Sequence, residues 1–200
     1  MPKVDLWLDS EDIASAQQSN SFNFEVPVDA VKKGNLDDPN DDKAKATWMQ
    51  ALDIVEVKFY EDETAPTQKD ASRYDCVTAE IKFQVPADAT RSSGAADPNA
   101  GRSTTVWYRV VPAAMKNKNH AKYKANNFAL GNLNGILRSI WGSSVFPHGA
   151  SANLGDFYGS ENGADAPVVG KRVLCTVKQS KYEGNKKDEL RDFVPQESQK

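Results

Sequence analysis

The stretch Asp75–Val85, with the sequence DCVTAEIKFQV, alternates apolar and polar residues along its whole length. Successive side chains of a strand point to opposite faces, so this pattern is typical of a β-strand with one buried face. The residues predicted to face the core are Val77, Ala79, Ile81, Phe83 and Val85, and those predicted to face outward are Thr78, Glu80, Lys82 and Gln84.

Two neighbouring stretches repeat this alternation and predict two more strands. Ala51–Tyr60 (ALDIVEVKFY) precedes the first stretch, and Thr104–Val111 (TTVWYRVV) follows it. The predicted inward residues are Val55, Val57 and Phe59, then Val106, Tyr108 and Val110. The predicted outward residues are Glu56, Lys58 and Tyr60, then Trp107 and Arg109. A shift of one residue in the third strand would exchange the faces of Trp107 and Tyr108.

A helix and a final hairpin complete the pattern. Ala121–Trp141 predicts a helix, because apolar residues recur at spacings of three and four: Leu130, Leu133, Ile136, Leu137, Ile140 and Trp141. Two glycines in this helix, Gly131 and Gly135, weaken it by about 1 kcal/mol each relative to alanine, or their spacing of four residues lets a strand pack closely against it. Gly170–Val194 predicts a hairpin, with Val173, Cys175 and Val177 facing inward and Glu183-Gly184-Asn185 as the turn.

The predicted order is therefore β-β-β-α-β-β, the order of a five-stranded OB-type barrel. We predict a mostly β chain (β or α+β) with one main helix and a barrel domain over 51–195. An N-terminal extension over 1–50 is expected to hold a short strand at 21–28 and an acidic loop at 34–46. A short C-terminal tail covers 196–200. Long loops are expected at 86–103 and 143–168, and the composition of the first predicts mobility.

Composition and charge limit the classes of function. The chain has 200 residues and a net charge of −3, which divides into −10 over residues 1–100 and +7 over 101–200. A polyanionic partner is therefore expected to bind mainly the second half. No apolar run approaches the length of a membrane helix, and the N-terminus lacks the apolar core of a secretory signal, so a cytoplasmic location without membrane contact is expected.

The sequence points to neither a metal site nor a catalytic site. Cys76 and Cys175 lie in predicted strands and are interpreted as reduced core residues, and the two histidines lack ligand spacing to them. The acidic residues Asp37, Asp38, Asp41 and Asp42 are interpreted as a solvated charge run rather than a cation site. The chain contains no GxxxxGK[ST], GxSxG or HExxH motif, so no enzyme activity, metal or other cofactor is predicted.

The outward face of the first three strands is the main candidate binding surface. It combines aromatic residues with cations, which is what single-stranded nucleic acid requires: rings stack on bases, and Lys or Arg neutralises phosphates. An alternative is that the N-terminal segment or a second copy covers this face. The candidate residues are Lys58, Tyr60, Lys82, Trp107 and Arg109.

The final hairpin adds a second group of candidates, although an ordinary solvated hairpin would also carry lysines. Its members are Lys178, Lys181, Tyr182 and Lys186. A loop between the fourth and fifth barrel strands is well placed to contact a bound strand. A third basic cluster, made of Lys116, Lys118, Lys122 and Lys124, is interpreted as the exposed start of the helix.

Two segments carry a resemblance to a known family. They are ANNFALGNLNGILRSIWG (125–142) and GKRVLCTVKQSKYEGNKKDELRDFVP (170–195). A helix with an apolar stripe is followed by Gly170-Lys171, a strand, Tyr182-Glu183-Gly184 and a return strand ending at Val194-Pro195. In this order the chain resembles bacteriophage single-stranded DNA-binding proteins of the OB-fold type. The resemblance implies a protein that coats single-stranded DNA without sequence choice during phage replication or recombination, in the cytoplasm of the host.

Three hypotheses follow for the function. The first is binding of single-stranded DNA, with phage replication or recombination proteins as further partners. The second is a phage structural or assembly protein that uses the barrel to contact other proteins, for which the acidic first half and the long loops are suited. The third, an enzyme acting on nucleic acid, is disfavoured because no carboxylate cluster has metal-binding spacing. A homo-oligomer is compatible with the first two.

Overall fold

In the computed structural model, a five-stranded antiparallel sheet forms the centre of the molecule. The structure describes residues 4–8, 36, 47–91, 94–145, 151–159, 166–182 and 185–199. The strands are β1 (Trp7–Leu8), β2 (Thr47–Thr64), β3 (Tyr74–Gln84), β4 (Ser103–Val110), β5 (Ala152–Asn153), β6 (Arg172–Tyr182) and β7 (Asn185–Arg191). The α-helices are α1 (Tyr123–Trp141) and α2 (Gly155–Tyr158), and short 3-10 helices cover Pro112–Ala114, Ser143–Val145 and Gln196–Ser198.

The long strand β2 makes the sheet close on itself. Its first part, from Thr47 to Asp53, pairs with β6, and its second part, from Asp53 to Thr64, pairs with β3. The strand order is β4-β3-β2-β6-β7, so β4 and β7 are the two edges. These edges meet where the Tyr108 hydroxyl donates a hydrogen bond of 3.0 Å to the carbonyl oxygen of Leu190. The result is a nearly closed five-stranded barrel with one main helix, which confirms the predicted fold class.

A β-bulge in β2 corrects one predicted face. The register between β2 and β3 shifts between Ile54 and Glu56. Ile54 and Val57 are therefore buried, while Val55 is 38% exposed. The sequence predicted that Val55 faces the core, and this was wrong because a bulge inserts one residue into the alternation. Beyond the bulge, the outward positions of Lys58 and Tyr60 are as predicted.

The helix α1 packs against the barrel and is buried over much of its circumference. It begins at Tyr123, two residues later than predicted, and ends at Trp141 as predicted. Leu130, Leu133, Ile136 and Leu137 of the predicted stripe are buried in the core. Beyond that stripe, Asn126 is also buried, and its side-chain oxygen accepts a hydrogen bond of 2.7 Å from the Val111 N–H. This bond ties the start of the helix to the end of β4.

Several segments outside the predicted barrel domain contribute to its packing. Val4, Leu6 and Leu8 are buried in the core, and β1 pairs with β5 inside the loop predicted at 143–168. The first barrel strand begins at Thr47, four residues before the start predicted at Ala51. The predicted strand at 21–28 lies outside the described residues, and so does the acidic loop at 34–46 apart from the buried Leu36.

The loop predicted to be mobile at 86–103 carries structure of its own. Backbone hydrogen bonds run from the Asp97 N–H to Ala89 and from the Gly101 N–H to Val85, at 2.9 and 3.0 Å. The Gln50 side chain, on β2, donates to the Asp97 carboxylate at 3.0 Å. The composition of this loop did not reveal these hydrogen bonds, which connect the loop to its own backbone and to β2.

Candidate nucleic-acid interface

The outward residues of β2, β3 and β4 line up in rows across the sheet. Pairing places Lys58 opposite Glu80 and Glu80 opposite Trp107. A neighbouring row contains Glu56, Lys82 and Thr105, and the row on the other side contains Tyr60, Thr78 and Arg109. We call these nine residues the sheet face. It brings together the five candidates that the sequence placed on the first three strands.

Trp107 is the most prominent aromatic residue of the sheet face. It is 44% exposed, while the neighbouring Tyr108 is 5% exposed, so the predicted assignment of the two to opposite faces is confirmed. The indole Nε1 donates a hydrogen bond of 3.0 Å to Oε2 of Glu80. This bond fixes one edge of the indole while leaving much of the side chain accessible to a partner.

Glu80 gathers three of the candidate side chains around one carboxylate. Besides the bond from Trp107, Oε2 lies 3.4 Å from the Tyr60 hydroxyl, and Oε1 lies 3.8 Å from Nζ of Lys58. Partial burial and then the charge of Glu80 raise the pKa of Tyr60, which keeps this phenol protonated as a hydrogen-bond donor. Sequence reasoning placed Glu80 on the outward face but did not identify it as the residue that connects these candidates.

The three cations of the sheet face differ in whether they form ion pairs with neighbouring carboxylates. Lys58 is held between carboxylates, with Nζ 3.4 Å from Glu56 and 3.8 Å from Glu80. Lys82 and Arg109 are exposed, and neither forms an ion pair within the described part of the chain. These two side chains are thus the best placed to meet an anionic partner.

Part of the outward side of β3 is covered. Thr78 and Cys76 take outward positions in the strand but are buried, and Cys76 packs with Val111 and Ala114 of the following 3-10 turn. Burial raises the pKa of the Cys76 thiol, so this cysteine remains protonated beneath the turn. The accessible surface therefore concentrates on the rows of Glu80 and Lys82 and on the two ends of the Tyr60 row.

The loop between β2 and β3 is fixed by Asp70. Its carboxylate accepts hydrogen bonds from the hydroxyl and the N–H of Ser72 at 2.5 and 3.1 Å, and Nζ of Lys122 lies 3.6 Å away. These hydrogen bonds, the one from the Ser72 side chain first, lower the pKa of Asp70. Only 14% of the Lys122 side chain is exposed, so this lysine is engaged with the loop, contrary to the exposed helix start that the sequence predicted.

The hairpin candidates form a second group. Lys178 is half-buried and pairs with Thr47 on one side and Glu189 on the other. Further along the hairpin, Lys181 pairs with Lys186 and Tyr182 pairs with Asn185 through the backbone. No hydrogen bond or ion pair of the described side chains joins Lys178 to the sheet face. The hairpin strand β6 adjoins the first part of β2, from Thr47 to Asp53, whereas the sheet face lies on its second part.

A cleft opens beside the sheet face, at the seam where β4 and β7 meet. It has a volume of about 320 Å³ and is lined by residues of β4, β7 and α1. Trp107 and Phe128, which is 41% exposed, both contribute to its lining. Sequence reasoning missed Phe128. Its position could have indicated an exposed ring, because it is a large aromatic residue that lies off the apolar stripe of the helix.

Two features are absent from the described residues. Among them, no group of three or more His, Cys, Asp or Glu side chains is arranged to hold a metal ion. Within the same residues, none of the helices has both the length and the apolar character needed to span a bilayer.

No protein-family model matches the chain, and no curated protein has a significant match to it.

Proposed function

We propose that this protein binds single-stranded DNA without sequence specificity, through the sheet face and the β6–β7 hairpin. The observation that carries the proposal is the exposed indole of Trp107 beside the exposed cations Lys82 and Arg109 on one side of a barrel. Aromatic rings provide stacking surfaces for any base, and the cations neutralise the adjacent phosphates.

The mechanism needs no cofactor. Bases stack on Trp107 and pack against Tyr60, and phosphates lie near Lys82, Arg109 and Lys58. The hairpin residues Lys178, Lys181 and Lys186, with Tyr182, extend the contact. The resemblance of the helix and hairpin motifs to phage single-stranded DNA-binding proteins supports a role in phage replication or recombination, with the proteins of those processes as partners in the host cytoplasm.

The salt dependence of binding tests how many of these cations take part. Each phosphate that is neutralised on a single strand adds about −0.7 to the slope of log K against log salt concentration. Engagement of all six cations predicts a slope of about −4, and engagement of the three on the sheet face alone predicts a slope of about −2. A titration of the intact protein with fluorescently labelled oligo-dT at several salt concentrations measures this slope.

Replacement of Trp107 by alanine tests the stacking site. Loss of one stacking ring costs about 1–3 kcal/mol, so affinity for oligo-dT is expected to fall by about tenfold. Trp7→Ala serves as the matched control, since Trp7 is also exposed but belongs to β1, which pairs with β5 in a separate two-stranded sheet. No binding of the unaltered protein at low salt would refute the function, and equal effects of the two variants would remove Trp107 from the site.

A second candidate function is favoured by the open strand edges. The edge strands β4 and β7 are joined to each other by a side-chain bond rather than by a backbone ladder among the described pairings. Edge strands offer backbone groups to a further strand, which suits a structural or assembly protein. An oligomer whose mass, measured by light scattering, does not respond to added oligo-dT would favour this candidate.

A further inference from the structure

The seam cleft differs from the sheet face in being a concave site with aromatic residues from two elements. Trp107 of β4 and Phe128 of α1 are both more than 40% exposed and line the same cleft. Ring surface left in water is unfavourable, and two such residues at one concave site are suited to a flat apolar ligand. The volume of about 320 Å³ lies at the small end of ligand sites, so the ligand is small.

The charges around the cleft are divided between its walls. Arg109 lies on the β4 side, while the acidic residues Asp188 and Glu189 lie on the β7 side. Each carboxylate already accepts a hydrogen bond, Asp188 from Gln179 at 2.7 Å and Glu189 from Arg191 at 2.5 Å. The β4 wall, which carries the cation, therefore suits the phosphate of a bound nucleotide better than the β7 wall does.

The cleft is also continuous with the proposed DNA-binding surface. Trp107 and Arg109 belong both to the sheet face and to the cleft lining. A strand that crosses the sheet face towards β4 reaches the opening of the cleft next. Its phosphate can remain beside Arg109 while its base turns inwards, away from solvent and towards Phe128.

We propose that the seam cleft is a nucleobase pocket, in which one base of the bound strand inserts between β4, β7 and α1 and packs against Trp107 and Phe128. This proposal rests on the proposed binding of single-stranded DNA. It adds a residue of the helix, Phe128, to a site otherwise built from the sheet and the hairpin. It also assigns the apolar surface of the cleft to a base rather than to the phosphate backbone.

The test compares two probes of equal length on the intact protein: oligo-dT and a fully abasic oligomer with the same phosphate backbone. Phe128→Ala is expected to lower affinity for oligo-dT by about tenfold, the effect of losing one base-stacking ring. Its affinity for the abasic oligomer is expected to stay unchanged. Phe128→Leu, which keeps apolar volume but not the ring, is expected to give a smaller loss. Trp7→Ala, as the control, is expected to change neither affinity.

The outcomes separate this proposal from the function on which it rests. If the unaltered protein binds neither probe, the proposed function itself fails. If it binds oligo-dT and Phe128→Ala binds equally well, the base pocket is refuted while the function stands. Equal losses on both probes would also refute the pocket, since the effect would not depend on a base. Unchanged DNA affinity with loss of self-association, measured by sedimentation, would assign the cleft to a second copy of the chain instead.

Discussion

Glu80 has two opposing effects on the candidate interface. Its carboxylate accepts a hydrogen bond from Trp107 at 3.0 Å and contacts Tyr60 and Lys58, which holds these side chains in place on the sheet. The same carboxylate puts a negative charge in the middle row of a surface that we propose to bind phosphates. Glu80 is thus expected to improve the positioning of the rings while lowering the affinity for the backbone.

Replacing Glu80 by glutamine separates these two effects. The amide keeps an oxygen that can accept the Trp107 hydrogen bond, while the charge is lost. Affinity for oligo-dT is expected to rise by up to about fivefold, because one like charge near a phosphate costs on the order of 1 kcal/mol near solvent. Asp75→Asn is the control, since it removes one charge from the exposed start of the same strand. Equal gains in both variants would mean that only net charge matters.

Ionisation of Asp192 is expected to make the stability of the protein depend on pH. It has a φ of 52°, and burial raises the pKa of its carboxyl group. The folded protein therefore retains this proton to a higher pH than the unfolded chain does. Stability is lost as pH rises through the window between the two pKa values, and the loss persists at neutral pH.

Asp192→Asn is expected to raise the melting temperature at pH 7. Asparagine tolerates a positive φ as well as aspartate does and has no charge to desolvate. The gain is expected to be less than about 1 kcal/mol, because the site is partly exposed. At a pH below the ordinary range of an aspartate the two proteins should melt alike. An equal gain at low and neutral pH would show that ionisation of Asp192 is not the cause.

At the level of single residues, the sequence predicted which side of the sheet a side chain lies on wherever the alternation of apolar and polar residues was unbroken. Trp107 and Tyr108 lie on the predicted faces. Val55 does not, because its apolar character hides the bulge, and no local pattern distinguishes a bulged valine from a buried one. Thr78 takes its predicted outward position, but it is buried. What covers an outward side chain depends on a later segment, which the strand's own sequence does not specify.

Among the elements, α1 shows why an apolar stripe underestimates burial. The stripe predicted the helix and its core contacts, but the polar residues Asn126, Asn132, Asn134 and Ser139 are buried as well. Part of this burial comes from hydrogen bonds with other segments. Leu174 donates its N–H to the Ser139 hydroxyl at 3.3 Å, and Gln199 donates to the same oxygen at 3.1 Å. Such contacts join distant parts of the chain and leave no periodic signal.

Gly135 gives a test of how closely the helix is packed. A Cβ atom at this position would lie 3.2 Å from Cβ of Phe193, a residue just after β7 that is only 4% exposed. In an open helix, Gly→Ala would be expected to stabilise by about 1 kcal/mol. Here the neighbouring atom is next to the backbone and cannot move by a change of rotamer, so we expect Gly135→Ala to destabilise the protein.

Urea unfolding measures the effect of Gly135→Ala. A loss of about 1–2 kcal/mol is expected, which is typical when atoms are forced into a packed core. Ala125→Gly, at an exposed position of the same helix, gives the local propensity as a reference and should cost about 1 kcal/mol. A gain in stability for Gly135→Ala would contradict the close packing and show that Phe193 can move to make room for the added methyl group.

Glu197, near the C-terminus, forms hydrogen bonds with the segment that follows α1. Glu197 accepts hydrogen bonds from the N–H and the hydroxyl of Ser143 at 2.6 and 2.9 Å. These bonds, the one from the backbone first, lower the pKa of Glu197. Residues 196–198 thereby contact the end of α1.

For the whole molecule, the order of the strands and the barrel could be predicted, but the extent to which the barrel closes could not. Five alternating segments and one helix in this order predicted the topology, because few architectures accommodate it. Whether the edge strands β4 and β7 meet depends on contacts between residues more than 80 positions apart, such as Tyr108 and Leu190. The seam cleft arises from that incomplete closure, so the sequence alone did not predict it either.

Tyr108→Phe tests whether its hydroxyl holds the seam closed. Burial raises the pKa of Tyr108 well above its ordinary value, so the hydroxyl is a permanent donor to the Leu190 carbonyl. Loss of this bond leaves a buried carbonyl unsatisfied and is expected to cost about 1–3 kcal/mol. Tyr158→Phe is the matched control, because its hydroxyl is also buried and donates to a backbone carbonyl, that of Leu133, at 2.6 Å.

The two tyrosine variants are expected to differ in which strands open locally. Both should lower global stability, but only Tyr108→Phe should speed amide hydrogen exchange in β4 and β7 beyond the change expected from global unfolding. Local opening of this kind follows because Tyr108 joins the two edge strands, whereas Tyr158 joins α2 to α1. If exchange in β4 and β7 rises equally in both variants, other contacts keep the seam closed and the Tyr108 bond contributes only to overall stability.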